Sequence, residues 1–237
     1  MSEQKSFLHA KKAIFLYDFT GIMAQPWIDA GYECWCFDGQ HPSGITRTGN
    51  HVKVGMWIYP ESAQAISLIV GDGVEFVFGF PECTDMAVSG AAHFSKKLKA
   101  DPGCQTRAAE LAKLVERVAD IYGCPWGAEN PVSVLSTLWR KPNFSFHPYE
   151  YGGYLPHDDK HPMYPDYIKP RDAYPKKTCI WCGNGFIIPE RKPVPVESGY
   201  SDQHKKLGGK SLKTKNIRSA TPRGFANAVF CANGGNV

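Results

Sequence analysis

VEFVFGF, residues Val74–Phe80, is apolar throughout apart from Glu75. So unbroken an apolar run fits a strand buried on both faces, as in a parallel sheet covered by helices. Three earlier segments read the same way: AIFLYD (Ala13–Asp18), YECWCFD (Tyr32–Asp38) and HVKVGMWIY (His51–Tyr59). Helical stretches separate them. Gln25–Gly31 carries Pro26 in its first turn, and Glu61–Val70 runs from Pro60 to a stop near Gly71. Thr106–Tyr122 is the clearest helix, with Leu111, Ala112, Leu114, Val115, Val118 and Ala119 on a broad apolar stripe. The alternation predicts an α/β fold, Rossmann-like, with a mostly parallel central sheet and helices on both faces.

The second half is less regular. Asn143–Tyr174 is rich in Pro, Tyr, Gly and His and reads as a long loop, as does polar Glu190–Asn216. Lys177–Trp181 reads as a strand and Pro222–Ala232 as a helix. A length of 237 residues suits one domain, with loop-rich insertions at about 143–174 and 186–217.

Composition excludes whole classes. With 43% apolar and 13% aromatic residues, the chain can bury a core, so it is neither disordered nor fibrous. No apolar run is long enough to span a bilayer, so no membrane partner is expected. The opening MSEQKSFLHAKK has charges but no apolar signal core. Eight cysteines without an export signal are expected as reduced thiols in a cytoplasm. Cys179-Ile180-Trp181-Cys182-Gly183 has the spacing of half a zinc knuckle, but no second pair matches it, and no metal is expected. No Asp or Glu follows Asp202, whereas Lys205, Lys206, Lys210, Lys213, Lys215, Arg218 and Arg223 do. A one-sided basic tail points to a polyanionic partner.

Ligands of open α/β sheets bind at the carboxyl ends of the strands. Strand one ends in Asp18-Phe19-Thr20-Gly21, where a glycine lets a ligand approach the backbone. Strand two ends in Asp38, placed to accept hydrogen bonds from ribose hydroxyls. The G-x-G-x-x-G pattern is absent, which disfavours a nicotinamide dinucleotide. The strand at Val74–Phe80 runs into Pro81-Glu82-Cys83-Thr84, which sets a thiol on an exposed turn as a candidate nucleophile. Glu129-Asn130-Pro131 supplies a carboxyl that can act as an acid if desolvated.

These four places, in this order, resemble the DNA cytosine-5 methyltransferase family. The blocks DFTGIMAQPWIDAGYE, FPECTDMAVSGA, ENPVSVL, KKTCIWCG and RSATPRGFANA are similar to a compact phage-type subgroup. Pro81-Glu82-Cys83 stands where the family has Pro-Pro-Cys, and Gly55-Met56-Trp57 falls at its third motif. Too few residues separate Lys177 from Arg218 for a large target-recognition region, so specificity should be short or relaxed.

The resemblance implies S-adenosylmethionine as cofactor and DNA, with its cytosine flipped out, as substrate. Cys83 would add to C6 of the base, and Glu129 would bond N3 and the amino group. Asn130 would orient Glu129, and Lys177 would contact the base or its phosphate. Phe19 would stack on the cofactor adenine, and Asp38 would bind its ribose. Asp18, Thr20, Gly21, Trp57 and Pro81 would complete that pocket. The seven basic residues from Lys205 to Arg223 would hold backbone phosphates. Two alternatives keep the fold: modification of a free cytosine nucleotide at C5, or a catalytically inactive DNA-binding module.

Overall fold

The computed structural model describes residues 11–196, 203, 206–208 and 211–234. The four strands expected in the first half form, though shorter: β1 Lys12–Leu16, β2 Glu33–Phe37, β4 His51–Gly55 and β5 Val74–Gly79. Four more join them: β3 Gly44–Thr48, β6 Trp126–Pro131, β7 Phe144–Phe146 and β8 Thr178–Gly183. All eight make one mixed sheet in the order β3-β4-β2-β1-β5-β6-β8-β7. The pairs β4–β2, β2–β1, β1–β5 and β5–β6 are parallel. The outer pairs β3–β4, β6–β8 and β8–β7 are antiparallel.

The buried strands behave as their apolar runs predict. Alternate residues of β1 feed opposite cores: Ile14 and Leu16 face one, Ala13 and Phe15 the other. Helices α2 (Ala63–Val70) and α4 (Cys104–Tyr122) cover the first face. Helix α4 buries Ala108, Ala112, Val115 and Ala119, spaced at helical period, and stops at Gly123 with φ +64°. It lies so close to β5 that a Cβ on Gly79 would sit 2.4 Å from the Val115 side chain. The second face is covered by α1 (Gln25–Asp29), α7 (Arg223–Asn233) and a 3-10 segment, Pro148–Tyr154. There Trp27 stacks on Phe76 at 4.3 Å and Phe146 on Phe225 at 4.1 Å.

The remaining helices are short: α3 Phe94–Ala100, α5 Leu135–Leu138 and α6 Leu212–Ser219. Residues 143–174, expected as loop, hold β7 and 3-10 turns, and residues 186–217 hold α6. Cys34 and Cys36 share one face of β2, as strand alternation requires. Cys179 and Cys182 lie three apart on β8, one in each core, so they cannot grip one ion together. Among the described residues no helix is long and apolar enough to cross a membrane.

Candidate active site

The strand order reverses beside β1. The chain moves outward to β2 on one side and later returns to place β5 on the other. Loops leaving the carboxyl ends of β1 and β5 therefore part, which opens a crevice there.

The loop after β1 is built around Asp18. This residue is 2% exposed, and its Oδ1 accepts from the Gly21 amide (2.8 Å) and the Thr20 hydroxyl (3.1 Å). Burial outweighs those bonds and pushes its carboxyl up to about 6. Gly21 has φ +69°, and a Cβ there would lie 2.8 Å from the His51 ring. The side-chain atoms Asp18 Oδ2, His41 Nε2 and His51 Nε2 are buried without a hydrogen-bond partner among the described residues. Burial lowers both histidines, His51 to about 4, so the rings stand neutral.

Next to this loop, half-buried Asp38 accepts from the Gln40 amide at 2.7 Å, and burial raises its carboxyl. The Phe19 ring lies 5.6 Å from that of His41. Trp57 is 70% exposed because β4 ends at Gly55 rather than running to Tyr59. Its indole covers Gly39, where a Cβ would come within 2.6 Å of the ring. A carboxylate at the end of β2, an exposed indole and orphaned polar atoms under a glycine loop could hold a nucleoside with a charged tail.

The loop after β5 carries Cys83, which is partly exposed. Its carbonyl closes a turn by accepting from Met86 (3.0 Å) and Ala87 (2.8 Å). The turn pairs with the chain after β6: Val88 N–H donates to Val132 O, and Val134 N–H to Met86 O, each at 3.0 Å. Asn130, 1% exposed, donates from Nδ2 to the carbonyl of buried Pro81 at 3.1 Å. The loops that hold Cys83 and Glu129 are thus tied together.

Burial and the facing Glu129 carboxylate push the Cys83 thiol up, while Lys176 pulls it down. Burial raises the Glu129 carboxyl too, against Lys176. The three groups therefore lie within electrostatic reach of one another. A proton on Glu129 removes the charge that opposes a thiolate at Cys83. The buried ring of Tyr174 also feels Glu129.

Lys176, not Lys177, stands beside Glu129. On β8, Ile180 pairs with Glu129 and faces the core of α1 and α7, whereas Cys179 faces that of α4. Period-two alternation continued back from Ile180 puts residue 176 on the Glu129 side and 177 on the other. Lys177 is exposed and lines a small hollow of about 220 Å³ with Ser133, Ser145 and Cys179. Lys176 Nζ donates to the Arg218 carbonyl at 2.7 Å.

The basic tail is divided in the structure. Lys213, Lys215 and Arg218 lie exposed on α6. Lys206 donates to the Asp166 carbonyl at 2.9 Å, and Arg218 Nη2 to the Leu207 carbonyl at 2.9 Å. Arg223 departs from the expected phosphate role, because its guanidinium is paired with buried Asp159 in the interior. Lys205 and Lys210 lie outside the described residues.

His41 and His51 join the site without having been singled out by sequence, and Lys176 takes the place that the KKTCIWCG block gave to its neighbour Lys177. Only Lys176 left a trace, in the alternation of β8. The chain matches no protein-family model, and no curated protein matches it either.

Proposed function

We propose that this chain methylates C5 of cytosine in DNA with S-adenosylmethionine, on a Rossmann-like methyltransferase fold. The observation that carries the reading is the convergence of Cys83, Glu129 and Lys176 at the carboxyl edge of adjacent strands β5 and β6. A parallel block with its order reversing between β1 and β5, and a carboxylate at the end of β2, support the cofactor half.

Cytosine C5 is a poor nucleophile while its ring stays aromatic. Cys83, giving up its proton, adds sulfur to C6 and turns C5 into an enamine-like carbon. Glu129, whose carboxyl burial raises, hydrogen-bonds N3 as an acid and meets the charge that builds on the ring. Lys176 favours the thiolate. Asn130 couples the two loops, so the acid and the sulfur keep one geometry. S-adenosylmethionine would supply an electrophilic methyl group, held by Asp38 at its ribose and by Trp57 and Phe19 at its adenine. C5 would take that methyl group, leaving S-adenosylhomocysteine, and loss of the C5 proton to water would expel Cys83 as thiolate. Eight free cysteines suit a reducing bacterial or phage-infected cytoplasm.

The test is a covalent trap. Protein incubated with cofactor and 5-fluorocytosine duplex should form an adduct stable to denaturation, and Cys83→Ser should abolish it. Methyl transfer from labelled cofactor to dCMP but not to DNA would replace this reading with the nucleotide one. Cofactor binding without transfer to either would leave an inactive module.

A further inference from the structure

Strand β8 presents different chemistry on its two faces. One face turns Ile180 toward the core of α1 and α7. Along the other, Lys177, Cys179 and Trp181 follow at period two, and all three line the hollow of about 220 Å³. Cys179 is the register partner of Ser145 on β7, which sets that hydroxyl beside the thiol in the same wall. The chain leaving β6 closes the hollow with Val132, Ser133 and Ser136. Glu129 is the register partner of Ile180, so the sheet stands between its carboxyl and the hollow.

The hollow holds donors that the fold does not use. The Lys177 ammonium and the Ser145 hydroxyl have no ion pair or hydrogen bond among the described residues. Ser133 is 6% exposed, and its Oγ accepts from the Leu135 amide at 3.4 Å, which leaves its proton to give. Among the described residues no carboxylate lines the wall. An ammonium and hydroxyls around a space without an acid make a donor set for an oxyanion. Size narrows the choice. Pockets for drug-sized ligands run to about 300–1,000 Å³, so this one suits an occupant smaller than a nucleotide.

The hollow is also joined to the nucleophile loop. Ser133 is bridged to Ala87, and the Val132 carbonyl accepts from the Val88 amide at 3.0 Å, just past the turn that Cys83 closes. We infer that this hollow binds one free tetrahedral oxyanion of the phosphate class, held by Lys177, Ser145 and Ser133. The anion ties β7 and β8 to the junction between the β6 exit and the Cys83 turn. The sheet separates it from the Glu129 side, which is why the occupant is a free anion and not the backbone of the substrate. The site stands whatever reaction the chain performs.

Inorganic phosphate is the probe, followed by phosphorus NMR line width against protein concentration at constant ionic strength. Broadening should saturate, sulfate should compete, and phosphate should raise the thermal midpoint by mass action. Lys177→Gln should weaken binding about tenfold, because a charge-assisted hydrogen bond is lost. Ser145→Ala should weaken it by a smaller factor. Lys99→Gln, at an exposed lysine of α3, should leave it unchanged. None of these three side chains is buried, so each variant should keep the phosphate-free thermal midpoint. A saturating cytosine duplex should leave phosphate affinity as it was. Broadening that never saturates, that survives Lys177→Gln unchanged, or that the duplex abolishes overturns the inference. The 5-fluorocytosine adduct is read apart. Phosphate binding without an adduct keeps the site and sinks the methyltransferase, and an adduct without phosphate binding does the reverse.

Discussion

Lys176 and Lys177 are adjacent and chemically identical, yet Lys176 bonds the Arg218 carbonyl while Lys177 lines the hollow beside Ser133, Ser145 and Cys179. Lys176 lowers the Cys83 thiol, so its removal makes the thiolate harder to form. Lys176→Gln should cut the methyl-transfer rate by about 100-fold, and its pH–rate profile should rise at higher pH. Lys177→Gln should change both far less, measured in the same assay. Asp18 gives a stability test. Its carboxyl is raised from 3.8 to about 6 by burial, so the folded state holds the proton more tightly than the unfolded chain. That contribution is complete below the unfolded value and is lost as pH rises through about 6. Asp18→Asn keeps an acceptor for Gly21 and cannot ionise. Melting should find it about 3 kcal/mol more stable than the parent above pH 7, and equal near pH 4. Asp18, Asp38 and Cys83 were legible because each lies in the turn that follows an apolar strand. The orphaned nitrogens of His41 and His51 were not, since only folding brings His51 over Gly21.

The elements legible in sequence were those whose apolar pattern is set by burial: β1, β2, β4, β5, β8, α1, α2, α4 and α7. Those missed lack such a pattern. Strand β3 is exposed at all five positions and exists by pairing with β4. Strand β6, WGAENP, is interrupted by Gly127, which is needed because Phe78 leaves only 2.4 Å for a Cβ. Helices α3 and α6 bury little, so neither shows a wide apolar stripe. Strand β5 makes the same demand for space at Gly79, against Val115 of α4. Val115 is fully buried and stiff at its branched Cβ. Gly79→Ala should therefore cost about 1–3 kcal/mol in denaturant unfolding, by pushing α4 off the sheet. Adding Val115→Ala should recover part of that loss, and a purely additive double mutant would refute the clash.

Across the whole molecule, the segment between β7 and β8 reaches the site without being a domain of its own. Ile168 and Tyr174 pack with Ile22 of the first loop and Ala220 at the end of α6, so this segment joins the loop after β1 to α6. Its anchor is ionic. Asp159 accepts from the Arg171 amide at 2.8 Å and pairs with Arg223, while Asp172 Oδ2 accepts from the Gly224 amide at 2.8 Å. The contacts to Arg223 and Gly224 cross 64 and 52 residues and bring together groups that composition reads only as loop acids and a basic tail. Sequence could not show that Arg223 turns inward, because its charge is the same in either role. Asp159 is 7% exposed and Asp172 1%. Removing the guanidinium leaves buried acids without their cation, which costs far more than losing a surface contact. Arg223→Met should lower stability by about 3–5 kcal/mol in chemical unfolding. At a temperature where the variant stays folded, it should keep the salt slope of duplex binding. A stable variant with a reduced slope would return Arg223 to the phosphate-binding surface and leave the segment held by its apolar contacts alone.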